Sequence, residues 1–436
     1  MAQELPYELQ ELICGHLEAS SLLSYSLTCR RFRSIALQTI FSRVELRYPR
    51  PGRHTHGRTE DLLEILPKST DICEAVRTVS LLDARRVQDR DAPPDMWRDE
   101  SLLSVLGYLK NIQCFIMDNT SYATAAWDLM PLVMQDALTN IFHSNSLTSL
   151  FLCRVSDLPL SVLDGCGALE NLILISVWFQ KEELSAVPGG LQRPRNHLKS
   201  LHIDSLADFR MFSTWITSST CGLSISKLEE LLLLVVKFED NVDVNRILRS
   251  CASTLQVFCF QPAFVYKFAD VDDGVPSVPI NSTMLTSLRI LRVRFQSTMP
   301  IVSRDMNILS SPTCLSWILH FFSQLSNKNT ITEISLKFNL VSFTIHNPLT
   351  GAAAESWRRL GTLLAPHVAR SLRRFTFIMS TGLIDAAGHL EEDINQSLSD
   401  LKEANVLNVV MTETVQGFLS TDDRSLPMKG KGQSMM

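Results

Sequence analysis

The sequence predicts an α/β protein in which three short helices precede an irregular solenoid, with parallel strands on one face and helices on the other. Two observations predict this fold. Three amphipathic segments follow one another within residues 5–37. From residue 76 onwards, an apolar-x-x-apolar-x-apolar pattern recurs along the chain, which indicates a repeat array.

The first helix is predicted over residues 5–17, LPYELQELICGHL. Its apolar side chains fall within an arc of roughly 140° on a helical wheel: Leu5, Leu9, Leu12, Ile13 and Leu17. Pro6 suits the first helical position, and Glu8 then lies in the first turn, where the helix dipole favours an anion. His16 also falls on the apolar arc, so a packed or interface histidine is expected there rather than a metal ligand.

Two more short helices are predicted before residue 38. Ser20 or Ser21 can cap the second helix, and the third is expected from Cys29 to Leu37. A unit this small buries too little apolar surface to offset the ordering entropy of its residues. It therefore needs a partner, in the same chain or in another.

The repeated pattern predicts short strands. It begins at Val76, Leu147, Leu169, Leu198, Leu228, Leu255, Leu288, Ile331 and Leu372, with a weaker copy at Leu109. The last two apolar positions of each copy lie two residues apart and so point to the same side of an extended strand. Helical stretches such as Ser316 to Leu325 can then cover the strand layer.

This strand, connection and helix order resembles a degenerate leucine-rich-repeat solenoid, although the spacing of roughly 22 to 43 residues is looser than that of regular repeats. An all-helical solenoid is the alternative. The run Leu231 to Val236 is apolar throughout, which favours a buried parallel strand.

The predicted organisation has four parts. Residues 1–46 form the helical module, 47–75 a linker with a short helix at 59–66, 76–419 the repeat domain, and 420–436 a disordered tail. The segment 261–284 is expected to be a loop insertion.

Composition argues against several classes of protein. The net charge is −5, without a long block of like charge, so a nucleic-acid-binding surface is not expected. The chain shows neither a signal peptide nor a long apolar run, so a soluble protein of the cytoplasm, the nucleus or both is expected, with no membrane partner. The ten cysteines are scattered singly, which favours buried thiols over a disulfide framework.

Motifs for catalysis are absent from the sequence, so no enzyme, cofactor or metal site is expected. Asp270 to Gly274 hints at a calcium loop, but its glycine falls one position early and the bidentate glutamate is missing. His54 and His56 lack further ligands at zinc spacing, so we interpret them as part of a polar linker.

The helical module resembles the F-box family. The residues that carry the resemblance are the LPYEL stretch of residues 5–9, then Ile13, Leu17 and Leu22, and the SLTCRRFRSI stretch of residues 26–35. The whole layout is similar to fungal F-box proteins with degenerate repeats. Ser20 and Ser21 depart from the family pattern, since many members have an acidic residue there.

The resemblance implies binding to the Skp-type adaptor of a Skp-cullin-F-box (SCF) ubiquitin ligase. The residues that it implies for adaptor binding are Leu5, Pro6, Glu8, Leu9, Ile13, Leu17, Leu22, Leu27, Cys29, Phe32 and Ile35. The alternative is that the same leucines form only an N-terminal cap on the repeats.

The repeat domain is predicted to hold a protein target, so that the chain would serve as the substrate-recognition subunit of the ligase. Residues that alternate with the buried positions face the concave side. They are apolar in early repeats, as at Phe151 and Ile173, and charged in later ones. The candidate target-binding residues are His202, Asp204, Arg292, Arg294, Glu333, Lys337 and Arg374. The alternative function is a ligase-independent scaffold or regulator, and the alternative interpretation of this face is ordinary solvated surface.

Overall fold

A computed structural model describes residues 6–28, 30–48, 58–83, 95–119, 124–181, 196–263, 279–296, 309, 312–325, 329–340, 349, 351–381 and 387–413. The chain divides into two compact units. The first comprises Met1–Val236 and Asp240–Phe258, and the second comprises Lys237–Glu239 and Cys259–Met436. Each unit is described by itself.

The first unit opens with helices and continues as a repeat of strands and helices. Its helices are α1 Tyr7–His16, α2 Ala19–Ser26, α3 Arg30–Phe41, α4 Arg58–Ile65, α5 Thr70–Ala75, α6 Glu100–Tyr108, α7 Leu132–Phe142, α8 Leu160–Asp164, α9 Phe209–Ile216 and α10 Asn241–Cys251. Its strands are β1 Arg43–Tyr48, β2 Thr78–Asp83, β3 Cys114–Asn119, β4 Ala125–Ala126, β5 Ser149–Cys153, β6 Val155–Ser156, β7 Asn171–Ile175, β8 Asn196–His197, β9 Ser200–Asp204, β10 Leu223–Ser224 and β11 Glu230–Lys237. Strand β12, Val257–Ala263, spans the boundary between the units.

A parallel sheet organises the first unit, in the order β1-β2-β3-β5-β7-β9-β11. Its register aligns the predicted apolar positions: Leu150 pairs with Leu172, and Leu172 pairs with Leu201. Each of these side chains is at most 1% exposed. The predicted α/β architecture with a parallel sheet is therefore confirmed, and the all-helical alternative is wrong.

The copy predicted from Leu109 has a different frame. Strand β3 buries Phe115 and Met117, which pair with Val79 and Leu81 of the preceding strand, while Cys114 is only partly buried. The actual pattern starts at Ile112, which is also buried. Because Leu109, Ile112 and Phe115 are spaced three apart, the sequence allows both frames, and the register selects the later one.

The second unit repeats the same plan. It contains β13 Ile290–Gln296, α11 Pro312–Ser323, β14 Glu333–Leu340, α12 Gly351–Arg370, β15 Arg374–Thr381, α13 Ala387–Ser397, α14 Ser399–Glu403 and β16 Leu407–Glu413. The four strands pair in parallel in the order β13-β14-β15-β16. Aromatic rings fill the core: Phe338 stacks on Phe295 at 4.6 Å and on Phe377 at 5.0 Å between ring centroids.

The described residues bear on several further predictions. The predicted helix at 59–66 corresponds to α4, and the one at 316–325 to α11. The loop insertion expected from residue 261 is wrong at its start, because Gln261 to Ala263 complete strand β12 and Gln261 is buried. The boundaries at 46, 75 and 419 stay predictions, and the tail at 420–436 lies outside the described residues. No helix in the described part of the chain is long and apolar enough to cross a bilayer.

Gly222→Ala is expected to destabilise the first unit by about 1–3 kcal/mol. A Cβ at this position would collide with the Asp164 carbonyl oxygen, and a backbone atom cannot move aside easily. The Gly222 N–H also donates to Asp164 Oδ1 at 3.1 Å. The unfolding midpoint in urea, followed by far-ultraviolet circular dichroism, measures the change.

Gly107→Ala is the matched control for that variant. Gly107 lies in helix α6, and a Cβ there would have no atom within 4 Å. Alanine has the higher helix propensity, so this variant should gain about 0.5–1 kcal/mol. Equal effects of the two substitutions would contradict the close backbone approach at Gly222.

Candidate protein-binding site

Helices α1, α2 and α3 enclose a small core of their own. Cys14, Leu22, Ile35 and Ala36 are buried in it, and Leu17, Tyr25 and Ile40 pack against them. Burial raises the pKa of the Cys14 thiol, and the nearby Glu11 carboxylate raises it further. The thiol therefore stays protonated and acts as a small apolar side chain.

The two faces of helix α1 have unequal surroundings. Gln10 and Cys14 point into the module, whereas Leu9, Leu12 and Ile13 are exposed. The apolar arc of the helical wheel is thus directed mainly away from the core of the module. Burial of one such side chain contributes about 1.5–3 kcal/mol, so an apolar stripe left in water indicates a binding surface.

The helix starts differ slightly from those expected. Pro6 is the N-cap of α1 rather than its first residue, and Glu8 lies in the first turn as predicted. Neither Ser20 nor Ser21 caps α2, because that helix begins at Ala19 with Glu18 as its N-cap. Only a short extended link separates α1 from α2, so the second helix starts before the serines.

The structure separates the residues predicted for adaptor binding by their exposure. Pro6, Glu8, Leu9, Ile13 and Leu27 are exposed, and Leu27 is 86% exposed. Leu17 and Phe32 are partly buried, with the Phe32 ring stacked on Tyr25 at 4.4 Å. Leu22 and Ile35 belong to the buried core, so their contribution to binding can only be indirect. Leu5 and Cys29 lie outside the described residues.

Two exposed apolar residues were missed as interface candidates. Leu12 lies beside Ile13 on helix α1, and Leu23 follows the buried Leu22 on helix α2; each is 55% exposed. The helical wheel of α1 already contained the signal for Leu12. We refer to Leu9, Leu12, Ile13, Leu23 and Leu27 together as the exposed apolar set.

The concave candidates of the first unit are His202 and Asp204. The register places His202 between Ile173 and Leu232, and Asp204 between Ile175 and Leu234. Both side chains are partly buried, and Ser205 Oγ donates to Asp204 Oδ1 at 2.8 Å. Ile173 is buried, and the side chains beside it on the two neighbouring strands are partly buried. This part of the strand face therefore exposes little apolar surface.

The other concave candidates lie in the second unit. Arg292 and Arg374 are exposed, while Arg294, Glu333 and Lys337 are partly buried. Arg294 pairs in register with Lys337, and Glu333 pairs with Arg374. Arg292 Nη2 lies 3.9 Å from Glu333 Oε1. The predicted charged face is thus assembled on three adjacent strands.

The minor ligand candidates give no site within the described residues. His16 lies exposed in the last turn of α1. The pair His54 and His56 and the acidic stretch 270–274 lie outside the described residues. In the part of the chain that the structure describes, no group of three His, Cys, Asp or Glu side chains is placed to hold a metal ion.

Comparison with known families agrees with the geometry of the first three helices. Residues 2–47 match the family model for an F-box-like domain. A search of curated proteins found no match. The leucine-rich character of the repeats and the similarity to fungal proteins stay predictions. The F-box-like match covers helices α1 to α3 and nearly all of strand β1, so this part of the chain is an F-box-like domain.

Proposed function

We propose that this chain is a non-catalytic substrate receptor of an SCF-type ubiquitin ligase, acting in the cytoplasm, the nucleus or both. The exposed apolar set binds a Skp-type adaptor, and the strand face of the repeats holds a protein target for degradation. Ubiquitin transfer itself belongs to other subunits. The role of this chain is to position the target, since tethering a target near the transfer machinery raises its effective concentration.

The observation that carries this proposal is the exposure of apolar side chains on an F-box-like module that already has its own core. Leu9, Ile13 and Leu27 are each more than 40% exposed, although Cys14 and Leu22 beside them are buried. A folded module with a buried core and a second, uncovered apolar stripe is suited to pack against a partner. F-box domains generally use such packing for Skp-type adaptors.

Ile13→Asp is expected to weaken adaptor binding at least about tenfold, because a carboxylate at a packed apolar contact must be desolvated without a partner. Ile13 is 41% exposed, so the substitution leaves the module core intact. Pull-down of a purified Skp-type adaptor by the full chain measures the loss.

Val242→Asp is the matched control for this experiment. Val242 is 49% exposed in helix α10 and lies far along the sequence from the F-box-like module. It should retain the adaptor as well as the unchanged chain does. Failure of the unchanged chain to bind the adaptor would overturn the proposal.

A scaffold or regulator with an N-terminal cap is the second candidate, and one observation favours it. Helix α3 packs against helix α5, and strand β1 continues the parallel sheet by pairing with β2. These contacts are what a cap would make. A chain that binds a target through its repeats but binds no adaptor would support this candidate.

A further inference from the structure

The last strand of the second unit, β16, leaves one edge of its sheet open. It pairs with β15, and within the residues that the structure describes no strand lies beyond it. Phe375 N–H donates to Val406 C=O at 2.9 Å, and alternate residues of a parallel strand bond to the same neighbour. The backbone N–H and C=O groups of Leu407, Val409 and Met411 therefore point away from β15.

The apolar core of the second unit is also incompletely covered at this strand. We call Leu407, Val409 and Met411 the open apolar row. They pair in register with three fully buried residues of β15, namely Phe375, Phe377 and Met379. Register partners point to the same side of a sheet, so the open apolar row lies on the core side. Helices α13 and α14 contact β16, yet all three side chains of the row are only partly buried.

The first strand of the chain, β1, also lies at the end of its sheet, and it differs from β16 in both respects. Val44 and Leu46 on its core side are at most 7% exposed, and helix α4 contacts the strand. Arg43, Glu45 and Arg47 occupy its other side, and charged residues on an edge strand disfavour pairing with a further strand. Residues 407–412 of β16 carry no charge. Strand β16 therefore has the properties of an edge that accepts another strand.

The sequence of β16 suits pairing with a second copy of itself. In an antiparallel pair about a two-fold axis at the central residue, Val410, all 7 residues of the two strands overlap. Val409 then lies opposite Met411 of the second copy, and Val410 lies opposite itself. The one charged residue of the strand sequence is Glu413, and the two copies of it would lie at opposite ends of the pair. Self-pairing therefore brings no like charges together.

We propose that two copies of this chain associate by antiparallel pairing of their β16 strands. The pairing provides hydrogen-bond partners for the outward N–H and C=O groups. It also places the two open apolar rows on the same side of one continuous sheet, so that each covers the other. This inference goes beyond the proposed function and does not depend on adaptor binding. An interface of one strand from each copy is small, so the dimer is expected to be weak.

Sedimentation velocity of the full chain tests the association. The sedimentation coefficient should rise from that of a monomer to that of a dimer between about 1 and 100 µM. A chain that stays monomeric over this range would overturn the inference.

Two variants at Val410 test the two-fold pairing, because a symmetric pair places this residue opposite itself. Val410→Lys and Val410→Glu should each weaken the dimer at least about tenfold, since like charges then face each other across the axis. An equimolar mixture of the two variants should dimerise again, because opposite charges then meet. A dimer that either variant leaves unchanged, or a mixture that associates no better than the single variants, would contradict the proposed pairing. Circular dichroism checks that both variants remain folded.

Hydrogen exchange of the unchanged chain provides a measurement that needs no variant. Peptides that cover residues 407–413 should exchange more slowly at about 100 µM than at about 1 µM, because pairing protects the outward N–H groups. Exchange that does not depend on concentration would overturn the inference.

Ala365→Lys is the matched control for Val410→Lys. It adds the same charge at an exposed residue of helix α12 and should leave the dimer unchanged. An equal loss of association in this control would show that net charge, and not strand pairing, governs the dimer.

Discussion

Replacing Phe338 by alanine is expected to lower the free energy of unfolding of the second unit by about 3–5 kcal/mol. Phe338 is fully buried in the centre of the aromatic core. Its ring stacks on Phe295 and Phe377, and its centroid lies 5.9 Å from that of Trp357 in an edge-on contact. Alanine would remove the ring from all three contacts and leave a cavity that the sheet can fill only in part.

The loss of stability in Phe338→Ala should be measured within the second unit, because a chain with two compact units need not unfold in one step. Hydrogen exchange of peptides from β13, β14 and β15, measured by mass spectrometry in increasing urea, reports the opening free energy of this unit. Peptides from the first unit in the same spectra provide an internal reference.

Two further variants serve as controls for Phe338→Ala. Phe338→Leu keeps a large apolar side chain and should cost clearly less than Phe338→Ala, because it leaves a smaller cavity. Arg359→Ala changes an exposed residue of helix α12 and should stay within about 0.5 kcal/mol of the unchanged chain. A cost below about 1 kcal/mol for Phe338→Ala would contradict the packing described.

Strand positions could be predicted from the sequence because a buried parallel sheet imposes the same apolar spacing on every repeat. Leu172 and Leu201 illustrate this, since each is fully buried and they are register partners. The frame predicted from Leu109 was wrong, because apolar residues continue there at a spacing of three and allow a second frame. Strands β1 and β16 were missed as repeat units, although the same apolar spacing occurs at residues 41–46 and 406–411.

The binding site could be predicted only in part. The wheel of α1 shows an apolar arc, but periodicity alone does not say which side of a helix meets the module and which meets a partner. The packing of α2 and α3 decides this, since it buries Cys14 and leaves Ile13 in water. The same packing buries Leu22. The F-box resemblance had placed this residue at the interface, but it belongs to the core.

Leu22 and Leu23 provide the sharpest separation between the core of the F-box-like module and its binding surface. The two leucines are adjacent on helix α2, yet Leu22 is 4% exposed and Leu23 is 55% exposed. Leu22→Ala should cost the module about 2–5 kcal/mol, because it removes a side chain packed with Cys14 and Ile35. For a module this small, that loss should unfold helices α1 to α3 and abolish adaptor binding as a consequence.

Leu23→Ala should act in the opposite way. Its effect on the opening free energy of peptides from α1 to α3, measured by hydrogen exchange, should stay within about 0.5 kcal/mol. Its affinity for a Skp-type adaptor should nevertheless fall about fivefold, since an apolar contact worth about 1 kcal/mol is lost at the interface. If Leu23→Ala leaves adaptor affinity unchanged, Leu23 does not belong to the interface. If Leu22→Ala unfolds the module without reducing adaptor binding, the folded module is not the binding unit.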